Sequence, residues 1–139
     1  MKPPKLLQYA TRQAWRQWLL QHHSTVSEIW LVYFKKHTGK PSVAYNDAVE
    51  EAICFGWIDG LIRRLDDERY MQRYTPRTRN SRWSALNIRR AKAMIRQRLM
   101  TEAGMAAFKT GKPLPSGKVR LKLTDNVSKY SDDIQARIL

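Results

Sequence analysis

The sequence predicts an α+β domain in which a small antiparallel sheet of about three strands packs with three to four helices. Three observations predict it: an unbroken β-favouring run at 29–34, two further β-favouring stretches flanking an acidic turn at 66–68, and three segments whose apolar residues recur with a helical period. A chain of 139 residues, with 42% hydrophobic and 27% charged residues, has the size and composition of one compact domain. That domain is expected to occupy 1–112, with 113–139 forming a linker and the start of a further, truncated helical segment.

The elements follow in order. Thr11 can cap a first helix in which Trp15, Trp18, Leu19 and His22 fall at i, i+3, i+4 and i+7 and face the core, with Arg12 and Arg16 turned outward. Ile29, Trp30, Leu31, Val32, Tyr33 and Phe34 read as the central strand, covered on both faces and ended by Lys35, Lys36 and Gly39. In the second helix Tyr45, Ala48, Val49, Ala52 and Ile53 make one stripe, Asp47, Glu50 and Glu51 load the N-terminal half, and Gly56 closes the element. Strands over 58–65 and 69–75 then form an antiparallel hairpin around Asp66, Asp67 and Glu68, stopping at Pro76. Ser84 can cap a third helix running to about Met100 with a buried stripe of Ile88, Ala91, Ile95 and Leu99, and Thr101 starts a short fourth helix ending near Gly111.

Charge is unevenly placed. The 26 Lys and Arg outweigh 12 Asp and Glu, and the stretch 69–98 holds ten basic residues, nine of them Arg, and no acid. Such a surface attracts nucleic acid, phosphorylated ligands or anionic membrane, although a charge run also serves simply as a solvated face. With Cys54 the only cysteine, no internal disulfide can form, which fits a reducing compartment, and the expected location is cytoplasmic. Polar residues from Gln8 to Arg16 interrupt any signal-peptide core, and no apolar run approaches the ~20 residues of a transmembrane helix.

Enzyme motifs are not evident. No histidine pair has metal-ligand spacing, and neither a phosphate-binding glycine loop nor a nucleophile elbow occurs. Cys54 reads as a small core residue whose place in the last turn of the acidic helix disfavours a thiolate. No catalytic residue, metal or cofactor is assigned. The informative region runs from Cys54 to Asn87. If the hairpin forms, Trp57 and Asp59 approach Thr75, Pro76 and Arg77 at one sheet edge, where Asp59 can pair with Arg73 or Arg77 between the walls of Trp57 and Trp83. Each residue also has an architectural reading: a tryptophan plugs a core, an aspartate fixes a turn, and Ser84 caps a helix.

The stretches Trp30-Leu31-Val32, Cys54-Phe55-Gly56-Trp57-Ile58-Asp59-Gly60, Tyr74-Thr75-Pro76-Arg77 and Ser81-Arg82-Trp83-Ser84 with Asn87 together resemble the YdeI/OmpD-associated family, also labelled bacteriocin-protection proteins. The similarity covers roughly Trp15 to Gly111. The resemblance implies a bacterial protein linked by label to tolerance of bacteriocins or antimicrobial peptides, and it supplies no catalytic residues. Members commonly continue into a further Lys- and Arg-rich helical segment, so this chain is expected to correspond to the family's N-terminal part.

The candidate binding residues are therefore Trp57, Asp59, Arg73, Arg77, Arg79, Arg82, Trp83, Ser84 and Asn87, with Arg89, Lys92 and Arg96 along the third helix. The leading expectation is contact with a polyanion, above all nucleic acid, with Trp57 and Trp83 available for stacking. The alternatives are a pocket for a small anionic ligand around Asp59, Arg73, Arg77 and Trp57, and a module that docks a protein partner or an anionic membrane surface.

Overall fold

A computed structural model describes residues 5–78 and 81–113. Among them the chain forms β1 (Leu6–Gln8), α1 (Arg12–His22), β2 (Ile29–Phe34), a 3-10 turn (Lys36–Thr38), α2 (Tyr45–Cys54), β3 (Trp57–Arg64), β4 (Arg69–Pro76), β5 (Arg82–Trp83), α3 (Ala85–Arg96), α4 (Glu102–Thr110) and β6 (Lys112–Pro113). The fold is α+β, as expected. The main sheet has the order β1-β2-β4-β3, with the three antiparallel strands read from the sequence joined by β1, which runs parallel to β2. Three residues are too few to show a period, so β1 was not legible. The expected segment 113–139 lies almost wholly outside the described residues.

Period-two alternation decides which face of the sheet meets the helices. Ile29, Leu31 and Tyr33 of β2 point to the same side as Tyr70, Gln72 and Tyr74 of β4, and Trp15, Trp18 and Leu19 of α1 with Ala48 and Ala52 of α2 close over them. A bulge between Asp59 and Ile62 inserts one extra residue in β3, so both side chains stay on this core face while Leu61 is left 60% exposed. A second cluster, built from Tyr45, Val49, Ile53, Trp83 and Ala91, joins α2 to α3.

Two sequence expectations need correction here. Arg12 and Arg16 do not turn to solvent. Arg12 bridges Asp47 at 2.9 Å, Glu50 at 3.1 Å and Glu51 at 2.6 Å, and Arg16 bonds Glu51 at 2.8 Å and donates to Leu99 O at 2.8 Å. The acids of α2 are thus the counter-charge of α1, and Glu51 is only 3% exposed. Helix α3 also stops at Arg96, before the expected Met100, because Arg98 takes φ +62° while its N–H and that of Leu99 bond back to Ile95 O and Met94 O. An arginine at a position usually held by glycine gave no stop signal.

Helix α4 is then drawn against the end of α2. The Thr101 side chain accepts from Gly104 N–H, while its own N–H and hydroxyl both donate to Cys54 O. A side chain at Gly104 would collide with the Cys54 backbone, so glycine is what permits the approach. Burial pushes the Cys54 thiol up to about 11, with Glu51 adding to the rise and Arg16 opposing it.

Candidate anion-binding pocket

Where β3 begins and β4 ends, the chain leaves a cavity of about 450 Å³ between the C-terminus of α1, residues Pro76, Arg77, Thr78, Ser81 and Trp83, and one face of α4. Register creates the floor: Trp57 pairs with Pro76, and Arg77 N–H continues the ladder to Gly56 O at 2.9 Å. Gly56, at φ +78°, turns α2 into β3, and a Cβ there would press on the Ala103 carbonyl at 3.0 Å. The walls are apolar: Phe55, Trp57, Trp83, Ala103, Ala106 and Ala107. A side chain at Gly111 would overlap the Trp83 indole, so this glycine sets the width at that end.

Arg77 is the unusual member of the lining. Its guanidinium stacks on Trp83 with Cζ 3.5 Å from the ring centroid, and Trp83 is in turn held edge-on by Phe108 at 5.3 Å. Nη1 donates to Arg82 O at 3.3 Å, whereas Nε and Nη2 are shielded from solvent and have no hydrogen-bond partner among the described residues. These two nitrogens share the edge of the guanidinium that takes both oxygens of a carboxylate or phosphate side-on. No carboxylate forms an ion pair with Arg77 among the described residues, and burial pulls its pKa down to about 10, with the charge of Asp59 partly opposing the fall. The group is still a cation at neutral pH, so the site holds a largely shielded positive charge without an acid partner among the described residues.

Residues 7–107 match the model of a family described as Domain of unknown function (DUF8412). The chain belongs to that family. The matched stretch of the DUF8412 domain carries the main sheet except Leu6 and most of the pocket, while Thr110 and Gly111 lie beyond it. No curated protein and no solved structure matches the chain.

The structure divides the residues singled out from the sequence. Trp57, Arg77 and Trp83 of the DUF8412 chain meet at the pocket as expected. Asp59 does not pair with Arg73 or Arg77. Its Oδ2 accepts from the Tyr45 hydroxyl at 3.3 Å and from Gln72 Nε2 at 3.5 Å, as the outer member of a core network. Within that network Gln72 Oε1 lies 2.9 Å from the hydroxyls of both Tyr33 and Tyr74, and burial pushes both phenols well above their usual range. Arg73 leaves the site altogether: it alternates with Gln72 and Tyr74, so it emerges on the opposite face and bonds Glu28 at 3.1 Å.

Ser84 and Asn87 serve α3. The Ser84 hydroxyl accepts from Asn87 N–H at 3.1 Å, and Asn87 Oδ1 accepts from Arg90 at 2.9 Å. Trp57 and Trp83 are 1% and 2% exposed, which corrects the expectation of open stacking platforms. Arg82, Arg89, Lys92 and Arg96 are exposed and have no acid partner among the described residues, and Arg79 lies outside those residues. The sequence reading missed His23 and the alanine face of α4. The recurrence of Ala103, Ala106 and Ala107 beside Gly104 was the available signal for a close-packed helix face, and His23 carried none. Among the described residues no cluster of His, Cys, Asp and Glu could hold a metal ion, and no helix is long and apolar enough to cross a membrane.

Proposed function

We propose that this protein binds a small ligand carrying a carboxylate or phosphate at Arg77, with its apolar body against the alanines of α4. One observation carries the reading: a buried guanidinium with its Nε/Nη2 edge unpartnered borders a cavity of ligand size. Leaving a buried charged donor without an acceptor costs free energy, and a ligand oxygen is the group that would recover it. The cellular setting we attach to it, tolerance of bacteriocins or antimicrobial peptides in a bacterial cytoplasm, rests on the YdeI/OmpD resemblance alone. Isothermal titration of the purified chain with benzoate, phenyl phosphate and the neutral analogue benzamide tests the binding. The acids are expected to bind, benzamide is not, and Arg77→Met is expected to abolish the difference; equal affinity for acid and amide would end the proposal.

A second reading applies to a different surface. Arg89, Lys92 and Arg96 fall at i, i+3 and i+7 on the exposed side of α3, so three cations line one stripe with no acid partner among the described residues. A polyanion such as nucleic acid suits that stripe. Three phosphate contacts would give a salt slope near −2.7, as an order of magnitude, in anisotropy titrations with short duplex DNA. A slope unchanged by replacing all three residues with Gln would dismiss it.

A further inference from the structure

The pocket's polar groups are few enough to be accounted for one at a time, and the account points to what the ligand carries besides its anion. The Thr78 N–H donates to Ser81 Oγ at 2.9 Å, the two hydroxyls meet at 3.3 Å, and Thr110 donates to Ala106 O at 2.9 Å. Those side chains already have partners. What is left is the Arg77 edge and Trp83 Nε1, which only donate, and His23 with the exposed Ser24 beside it.

His23 is held in one orientation. Its backbone N–H bonds Leu19 O at 2.9 Å, its ring Nδ1 lies 2.8 Å from the same carbonyl, its own carbonyl accepts from Trp57 Nε1 at 3.3 Å, and its ring packs 5.1 Å from that of Phe55. A carbonyl oxygen cannot donate, so Nδ1 must carry the proton in that contact. In the neutral ring Nε2 is then the unprotonated nitrogen, and it has no partner among the described residues. The lining therefore includes a donor group at the end of β4 and a ring with one unprotonated nitrogen at the end of α1, with aromatic and alanine residues as the remaining wall.

We propose, resting on the ligand-binding reading above, that the pocket selects small hydroxylated or amino-bearing acids: the oxyanion seats on Arg77, an O–H or N–H of the same molecule donates to His23 Nε2, and His23 determines specificity. Plain aryl or alkyl acids fill the same space but leave Nε2 unsatisfied. A single added hydrogen bond of this kind is worth roughly tenfold in affinity.

The test compares benzoate with 3-hydroxybenzoate and 4-hydroxybenzoate at pH 8, by isothermal titration, on the full chain and on two variants. His23→Phe removes both nitrogens, while His23→Asn keeps a donor for Leu19 O and removes the distal lone pair. The expected result is that at least one hydroxybenzoate binds the parent chain about tenfold more tightly than benzoate. That advantage should disappear in both variants. A ratio of one in the parent chain, or a preference that survives both substitutions, overturns this inference alone. If no acid binds the parent chain, or if binding ignores Arg77→Met, the ligand-binding reading itself falls.

Discussion

Replacing Arg77 by Met should stabilise the ligand-free protein, which is the opposite of what a structural arginine would show. Burial lowers the guanidinium pKa to about 10, and that depression corresponds to a penalty of about 3 kcal/mol on the charged form. Two favourable contacts offset part of it: the stack on Trp83, worth about 2 kcal/mol for a desolvated cation, and the long 3.3 Å bond to Arg82 O, worth about 0.5 kcal/mol. Methionine keeps apolar contact with the indole and removes the charge, so the net gain is about 0.5 kcal/mol. Urea unfolding followed by tryptophan fluorescence reads it as a rise in midpoint at constant slope. Because the folded pKa is the lower one, the unfolded chain binds more protons as pH rises past about 10. The penalty is therefore fully present below pH 10 and fades above it, so the gain should disappear by about pH 10.5. A loss of more than about 1 kcal/mol in the variant would refute the reasoning and make Arg77 an architectural pin.

Three further outcomes are expected. Glu51→Ala should cost about 3 kcal/mol in urea unfolding, because it strips the buried carboxylate shared by Arg12 and Arg16, leaving Arg16 without an acid partner among the described residues and Arg12 with Asp47 and Glu50 alone; a change under about 1 kcal/mol would mean that solvent already screens the cluster. Arg98→Gly should raise stability by about 0.5 to 1 kcal/mol, since φ +62° strains an arginine and suits glycine; a lower unfolding midpoint would show that the Arg98 side chain contributes more than its backbone strain removes. Cys54, fully buried and with its thiol pushed up to about 11, should resist Ellman's reagent at pH 8 in the folded protein and react at once in urea, whereas prompt labelling of the native chain would contradict the packing of α4 over α2.

Much of the fold was legible because it rests on local chemistry. Thr11, Ser84 and Thr101 announce three helix starts, and each hydroxyl accepts from an N–H three residues on. The run at 29–34 and the hairpin around 66–68 read directly as β2, β3 and β4. The end of α3 did not, because the left-handed residue is an arginine. The pocket was legible in part: Trp57, Arg77 and Trp83 were named from the crowding of unusual residues, while His23 and the alanine face of α4 were not, since neither carries a local signal of facing a cavity. The partner of Asp59 was misread for the same reason, as nothing in its neighbourhood distinguishes an arginine from a glutamine two residues along a strand.

By itself, then, the order of residues determined the helices, the three main strands, the hairpin and the concentration of positive charge, all of which depend on periods, caps and turns within a few positions of one another. Only the tertiary structure decided where each cation goes. Arg12 and Arg16 are neutralised across α2, Arg73 is carried to the far face by strand alternation, Arg89, Lys92 and Arg96 stay in solvent, and Arg77 alone is buried against Trp83 without an acid partner among the described residues. Charges act through space, and the distances that pair or isolate them exist only after elements remote in sequence have packed.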